Sequence, residues 1–527
     1  MHLRKHDLLQ MDDEWLKRLP AELLLEVSKR LLHDVKELQD RLNQHPENSS
    51  RPPTSQAPWA KHDDPEGKDA PAENEPAEVA SGKPTQASDG AEAPVKAALR
   101  LPTVPKPSNK QAGKQPGSPG YGRTQKLAVT GTCDHRPESC TACAQALSAD
   151  APSKRYTAWD EIDIAPPVEG QIGLMFLITR HYLLETNCDH CDHVSRAQPW
   201  RSAEEHEWER VELGEWRLVG PQLAGLIVFL ALRLRLSRPR IREALMEMFG
   251  LLLSVGVIDE TLREAGRASL PLEDVLVADL LQEPQLNVDE TSWPENRLLL
   301  WLGALVTPWT VLFVIGPRHA EMLENVLQDG YYGILISDGY RVYRAWLNRL
   351  RCWPHLIRKL RGLAESSDGR VSGVGQEMEG LMHTLEDAIY AARIDLPPEG
   401  LPFLYAAPVD RLKSLCTAHW SDAHSALRSV ARVFLYDWEV IMRPLGEPHL
   451  PLSNNAAEQA LRHWFIARNI SHSTRCEAGT RAFALLASVI ETCRLRGASS
   501  WRYLGTVIRA ARKGLELPPL PAIPAVA

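Results

Sequence analysis

Apolar residues between Trp15 and Leu42 recur every seven positions, at Leu24, Leu31 and Leu38, with Val35 and Leu42 at the complementary seam positions. The period predicts a helix with one apolar stripe. Two arrangements use such a stripe: a short coiled coil, hence a dimer, or an amphipathic helix docked on its own chain. Ala21 and Ser28 weaken the seam. From about Pro46 to Thr130 large apolar residues almost vanish, and Pro, Ala, Ser, Gly, Lys and Glu dominate. That stretch buries too little to offset its ordering entropy and reads as a disordered tether. Helical patterning returns between Pro221 and Ala268, as a Leu-rich run, a break at Ser237-Arg-Pro-Arg, a segment from Ile241 to Gly250 and a last one opened by Ser254. Helix, short turn and helix with arginines around them suits either a DNA-reading pair or an ordinary core-building pair.

At Gln285 the period shortens. Leu298 to Val306 and Trp309 to Ile315, parted by Thr307-Pro308, predict a hairpin. His319 to Leu327 reads as a helix, Ile334 to Ser337 as a strand, and Tyr343 to Leu350 as a further helix. Three strands, a helix and a strand describe an α/β fold with a mixed sheet that opens like a ribonuclease-H-type domain. Leu356 to about Leu445 is largely helical in pattern, and the Pro-rich tail from Pro518 reads as loose.

A chain of 527 residues exceeds one ordinary core, so several domains are expected. The net charge of -8 argues against nucleic-acid binding only if charge is spread evenly, and it is not. From Arg341 to Arg361 there are seven bases and no acid; from Arg462 to Lys513 ten bases face only Glu477 and Glu491. Local basic surfaces of this kind suit phosphate contact, although arginine-rich helices are also ordinary solvated faces. The longest apolar run, Leu223 to Leu232, is too short to span a bilayer, and the start Met-His-Leu-Arg-Lys-His-Asp lacks a signal-peptide core. A cytoplasmic protein without membrane contact is expected.

Two apolar runs end in acids: Gln285-Leu-Asn-Val-Asp289 and Gly333-Ile-Leu-Ile-Ser-Asp338. Each reads as a strand whose last residue is a carboxylate at the rim of a sheet. A third acid, Glu458, follows Leu452-Ser-Asn-Asn-Ala-Ala. Asn455 and Glu458 also have the spacing of a capping box, and Asp338-Gly339 that of a turn. Converging from two strand ends and a helix, the three acids would suit hard divalent cations, which take oxygen ligands and retain waters. Separately, Cys140-Thr-Ala-Cys143 and Cys188-Asp-His-Cys191, 44 residues apart, are two knuckle-like pairs suited to a tetrahedral structural Zn²⁺. Cys133, His135, His190 and His193 are possible substitute ligands. The nine cysteines are an odd number, which fits thiols and metal better than a disulfide framework.

Several separated strings, in order, resemble the transposases of insertion sequence 66: Asn-Val-Asp289-Glu-Thr-Ser-Trp293, Ser-Asp338-Gly-Tyr340, Cys352-Trp-Pro-His355-Leu-Ile-Arg-Lys359 and Asn454-Asn-Ala-Ala-Glu458-Gln-Ala-Leu-Arg462. The likeness runs from about Gln285 to Gly514. Upstream, Leu38 to Pro53 is similar to the family's leucine-rich start and its Asn-Ser-Ser-x-Pro-Pro signature. The resemblance implies a DDE-type strand transferase with Asp289, Asp338 and Glu458 holding two Mg²⁺ (or Mn²⁺) ions, His355 near the site, and a zinc-binding module upstream. Its partners would be DNA, as terminal inverted repeats and target, at the nucleoid. It would act as a homodimer or higher assembly, with accessory proteins from the same element. Arg358, Lys359, Arg462, Arg468 and Arg475 are the expected DNA contacts; Trp346, Trp353 and Trp464 suit base stacking or the core.

The boundaries expected are a helical dimerisation segment 1–45, a linker 46–130, a zinc module 131–205 and a helical DNA-binding region 206–280. A ribonuclease-H-like catalytic domain 281–515 follows, with a helical insertion at about 360–450, and then a tail 516–527. Ser453 stands where the family often has Asp, and Arg468-Asn-Ile replaces its Arg-Lys-Asn. Two rival readings are a zinc-containing DNA-binding protein without catalysis and a metal nuclease that cuts without joining.

Overall fold

The computed structural model describes residues 19–42, 125–198, 213–214, 217–296, 298–318, 321–327, 331–471 and 473–524. Most of the expected linker lies outside them. The fold is mixed α/β, with two mixed sheets and many helices.

Helix α1 (Ala21–Leu42) docks by its polar side. His33, Lys36, Glu37 and Asp40, spaced to share one helical face, meet the turn at Ser366–Ser367 and the start of a later helix. The Asp40 carboxylate accepts from the Ser367 N–H at 2.8 Å and from the Ser366 hydroxyl, and Glu37 accepts from the Ser425 hydroxyl. The apolar side stays open, with Leu32, Val35 and Leu38 each more than half exposed.

The first sheet joins β1 (Gly131–His135), β2 (Ser153–Ile164), β3 (Phe176–Asn187) and β4 (Val194–Arg196), with β3 central: β1 lies parallel to it, β2 and β4 antiparallel. Next come α2 (Pro221–Val228), continued by a π-helical turn Phe229–Arg233, then α3 (Arg238–Phe249), α4 (Val255–Ala268) and α5 (Leu272–Gln282). The Ser254 hydroxyl caps α4 by accepting from the Val257 N–H at 3.2 Å. All eight residues of α2 are buried. A Cβ on Gly225 would lie 2.2 Å from the Trp501 carbonyl oxygen, so glycine there permits the close crossing with a C-terminal helix.

The second sheet holds β5 (Gln285–Glu295), β6 (Leu298–Val306), β7 (Val311–Gly316), β8 (Ile334–Ser337) and β9 (Arg349–Arg351) in the order β7-β6-β5-β8-β9. The first three strands are antiparallel; β8 and β9 add in parallel. Helix α6 (Glu321–Leu327) lies between β7 and β8. Residues Tyr343–Leu350, expected to be helical, instead form a 3₁₀ turn (Arg341–Ala345) followed by β9. Sheet pairing of Arg349–Arg351 with β8 and burial of Arg349, Leu350 and Arg351 override the local pattern.

Helices α7 (Trp353–Ala364), α8 (Gly369–Ala392), α9 (Ala406–Ala418), α10 (Ser425–Tyr436) and α11 (Trp438–Gly446) build their own core around Leu360, Met378, Leu385, Leu412 and Phe434. The chain then returns to the sheet as α12 (Asn455–Ser471) and α13 (Glu477–Leu495), and ends with α14 (Ser500–Arg512). Ser488 and Thr492 of α13 accept from the N–H groups of Phe313 at 2.8 Å and Val311 at 3.1 Å, which satisfies the free edge of β7. The tail expected to be loose is tied down: Tyr503 and Arg496 donate to the carbonyls of Pro518 and Pro521, and Leu520 is buried.

Candidate active site and cysteine cluster

Parallel pairing between β5 and β8 runs to Val288 opposite Ser337. The next residue on each strand is an acid, Asp289 or Asp338. Asp289 is not the last residue of its strand, as expected, because pairing with β6 carries β5 on through its polar half to Glu295. Asp338 is the first residue past β8, and its Oδ1 accepts from the Tyr340 N–H at 2.9 Å. Between them Gly339 has φ +107°, and a Cβ there would lie 2.0 Å from the Arg351 guanidinium carbon. Arg351 in turn donates to the Asp338 carbonyl at 3.1 Å.

Asn454 brings the third acid. Fully buried, it donates through Nδ2 to the Val288 carbonyl at 2.9 Å, which pins the start of α12 to β5 one residue before Asp289. The first turn of α12 then carries Glu458. Its Oε1 lies 3.5 Å from His355 Nδ1 and 3.8 Å from Arg358 Nη2, so this carboxylate faces α7 rather than closing a capping box on Asn455. His355 sits in the first turn of α7. Glu458, His355 and Cys352 bring ligand atoms within 4.8 Å of one another.

Burial, then the charges of Asp338, Glu290 and Glu458, push the Asp289 carboxyl well above the usual range. Glu458 is also raised, by burial first and by Asp338 against the pull of Arg358. His355 is held down to about 4, by burial and by Arg358, and is a neutral imidazole at pH 7. Burial lifts the Cys352 thiol to about 11, so it keeps its proton and is a poor partner for a hard cation. The site therefore gathers oxygen donors whose negative charges are incompletely compensated.

Beneath it, Glu290 points to the other face and accepts from Arg318 Nη2 at 2.6 Å and from the Tyr343 hydroxyl. The Arg318 guanidinium lies between the rings of Trp301 and Tyr340, 4.0 and 3.9 Å from their centroids. Nothing in the spacing of Glu290, Arg318 and Tyr343 marks this network; adjacency to Asp289 was the only signal.

The basic run divides. Arg349 and Arg351 are buried on β9, where both bind the buried Asp437 carboxylate, Arg349 at 2.6 Å, and Arg344 reaches it at 3.3 Å. Although burial opposes it, these guanidinium groups hold Asp437 below the usual carboxylate range. Lys359 is desolvated beside Arg351, which lowers its pKa. Arg468 is drawn inward as well: it donates to Thr291 Oγ1 at 3.1 Å and Ser292 Oγ at 2.9 Å and lies over the Phe465 ring. Arg462 and Arg475 are exposed, and Arg358 is half-buried next to Glu458. Trp353 and Trp464 are fully buried and Trp346 packs against the main core, which leaves none of them presented for base stacking.

In the first sheet, parallel β1 and β3 end on the same edge and run into the two Cys-x-x-Cys knuckles, so a 44-residue separation closes to contact. Cys140 Sγ lies 3.5 Å from Cys191 Sγ, and Cys143 Sγ 3.7 Å from Cys188 Sγ. Four thiolates around one Zn²⁺ at about 2.3 Å would stand roughly 3.8 Å apart, so the spacing fits a tetrahedral ion. Both knuckles turn alike: Ala144 (φ 58°) and Asp192 (φ 61°), each just past the second cysteine, adopt the left-handed conformation. Backbone N–H groups, that of Cys143 foremost, hold the Cys140 thiol down to about 5. The His193 N–H favours the Cys191 thiolate, yet the neighbouring Cys143 and Cys140 push it up to about 12. Of the substitute ligands, His193 instead contacts Thr141 Oγ1 at 3.0 Å, while Cys133 and His135 group with His181.

Residues 217–482 match the family described as Transposase IS66 family, and the chain belongs to that family. It is similar to the uncharacterized protein y4jO of Sinorhizobium fredii (strain NBRC 101917 / NGR234), at 28% identity over 207 residues, 39% of this chain and 61% of that one. A second similar protein from the same organism, the uncharacterized protein y4qI, is 24% identical over 311 residues, 52% of this chain and 56% of its own length. The chain thus spans less than two thirds of either relative. No helix among the described residues is long and apolar enough to cross a membrane.

Proposed function

We propose that the chain is a DNA transposase that cuts at the ends of its element and transfers the freed 3'-hydroxyl into target DNA, with Asp289, Asp338 and Glu458 as the metal-holding carboxylates of a ribonuclease-H-like core. The observation that carries the reading is the pair of acids immediately past the last paired residues of two neighbouring parallel strands, with a third acid on a helix pinned to the same strand by Asn454. The strand order, three antiparallel strands extended by two parallel ones, supports the ribonuclease-H-like assignment. Family membership supports the activity class.

The donor set fits Mg²⁺ or Mn²⁺: carboxylate oxygens, desolvated and mutually repelling, beside a thiol that stays protonated. Bound divalent ions supply Lewis acidity toward a phosphate oxygen and lower the pKa of an attacking water. The chain's own residues do the rest. Asn454 sets the position of Glu458, neutral His355 can exchange one hydrogen bond with a phosphate or water, and Arg358 offers charge to the scissile phosphate. Exposed Arg462 and Arg475 are the better candidates for backbone contacts along the DNA.

We assign the four-thiol cluster to structural Zn²⁺, and the zinc module with α2–α4 to recognition of terminal inverted repeats. The open leucine side of α1 suits pairing with a second copy, so that two ends are held together in the cytoplasm; accessory proteins from the same element would act on that assembly. The test is a strand-transfer assay with Mg²⁺ and labelled element ends. Wild type should yield joined products, while D289A and D338A should bind ends without reacting. Binding without metal-dependent cutting by wild type would favour a DNA-binding protein, and cutting without joining a nuclease.

A further inference from the structure

Cys133, His135 and His181 form a cluster of their own on the first sheet. Cys133 of β1 stands opposite His181 of β3 in the parallel register, and Trp159 of β2 stands opposite His181 from the other side. Strand alternation puts His135, two residues after Cys133, on the same face. The three side chains bring ligand atoms within 4.8 Å of one another. His135 Nε2 lies 2.9 Å from His181 Nδ1. The Trp159 ring stacks on both imidazoles, at 4.5 Å and 10° to His181 and at 5.2 Å and 23° to His135. The ion pairs of Arg155 with Asp134 and Arg180 with Asp160 use the alternate positions, and that of Arg196 with Glu185 lies on the same face four residues further along β3.

We propose that Cys133, His135 and His181 are a second metal site, which takes one borderline-soft divalent cation, Zn²⁺ foremost, through a thiolate and two imidazoles. One sulfur and two nitrogens are a donor set for this class of ion and a poor one for Mg²⁺ or Ca²⁺. Tetrahedral Zn²⁺ with Zn–N of about 2.0–2.1 Å holds two nitrogens roughly 3.3 Å apart. The present 2.9 Å is the spacing of a shared proton, so a cation can replace that proton with an opening of a few tenths of an ångström. The balance is simple: the donating imidazole moves its proton to its other ring nitrogen, and the Cys133 thiol releases one proton to solvent.

Strand pairing fixes the ligand spacing here, and the Trp159 ring fixes the imidazole planes. Among the described residues three protein ligands meet here, so a water or another small ligand completes the shell, and the ion exchanges more readily than one enclosed by four thiolates. Cys133 precedes Cys140 by seven residues, and His181 precedes Cys188 by seven, on the same two strands. Occupancy of the sheet site would stiffen the strands that deliver the knuckles.

The test is Co²⁺ titration of the full chain after metal removal, reading only sulfur-to-cobalt charge-transfer absorption, which carboxylate-bound Co²⁺ does not give. Two equivalents should contribute to that absorption in wild type, the second more weakly bound, and one equivalent in H181N and in C133S, with the four-thiolate spectrum intact. H135N lies on an edge strand and serves where H181N disturbs that spectrum; it should likewise leave one equivalent. Saturation at a single thiolate-bound equivalent in wild type, or two equivalents persisting in H135N, overturns the proposal.

Discussion

The proposed acid site and the cysteine cluster are assembled by opposite routes. Each cysteine pair is a local motif, complete within four residues, and needs only two parallel strands to deliver it to its partner. The acids are single side chains drawn from β5, β8 and α12, and the last arrives after a helical block with a core of its own. Local motifs make a site whose ligand geometry is set largely within each pair. The acid site depends on a few buried hydrogen bonds and ion pairs far from the chemistry, such as Asn454 to Val288 and Arg349 to Asp437.

Four substitutions would sharpen or break this contrast. The largest effect is expected at Cys188→Ser, because structural Zn²⁺ contributes apparent binding free energies of about 10–16 kcal/mol in small domains at neutral pH. Bound zinc should fall by the equivalent that the four thiols hold and the module become protease-sensitive, while calorimetry shows the remaining transition in place. If the second transition collapses too, the module is not independent.

Asp289→Asn should lower strand transfer by at least about 10³-fold, or roughly 4 kcal/mol, yet raise thermal stability without metal. The sign follows from its raised pKa. A carboxyl held above its unfolded value favours folding while protonated, and that contribution is lost as pH rises through the folded pKa. The variant's advantage in melting temperature, a few degrees, should therefore grow from acid to pH 8 and shrink when Mg²⁺ is added to wild type. An Asp289→Asn protein that melts lower than wild type at pH 8 would contradict this.

Asp437→Asn strands buried Arg349 and Arg351, and about 3–5 kcal/mol should be lost in a denaturant titration. Asp437 is depressed in the fold, so this difference is present above the ordinary Asp range and lost as pH falls through the folded value. The smallest effect belongs to Asn454→Ala, which leaves the Val288 carbonyl unpartnered at a cost of about 1–3 kcal/mol. Strand transfer should suffer more than stability does, since Glu458 loses its anchor. Equal losses would mean that Asn454 only holds the fold.

The hairpin β6–β7, strand β8 and the Ser254 cap were readable because each is written in a few contiguous residues: alternating Leu and Val, an Ile-Leu-Ile run before Asp338-Gly, a serine before a helix. β9 was not. Its Arg-Leu-Arg looks like a charged helical surface, and only pairing with β8 together with Asp437, 86 residues away from Arg351, makes it a buried strand. Arg468 shows the same limit: a base just after Glu458 suggests phosphate, and its donation to Thr291 and Ser292 of β5 has no local signal. The three acids could be picked out from motif order, whereas the Asn454 link and the Glu290–Arg318–Tyr343 support had no one-dimensional signature. The apolar period of α1 left a coiled coil and docking on its own chain both open; its charged side faces the helical block and its leucines face away.

The crossing of α2 with α14 sets an order on biosynthesis. Pro221–Val228 must wait for a segment some 280 residues later, because the Gly225 backbone is seated against that of Trp501 and Gly505. While the ribosome is still translating, these eight interior residues have β2 and α4 beside them but lack the cover that α14 provides. The nascent chain is accordingly exposed to aggregation or chaperone capture until α14 emerges, and a nonsense mutation ahead of Ser500 should yield insoluble product.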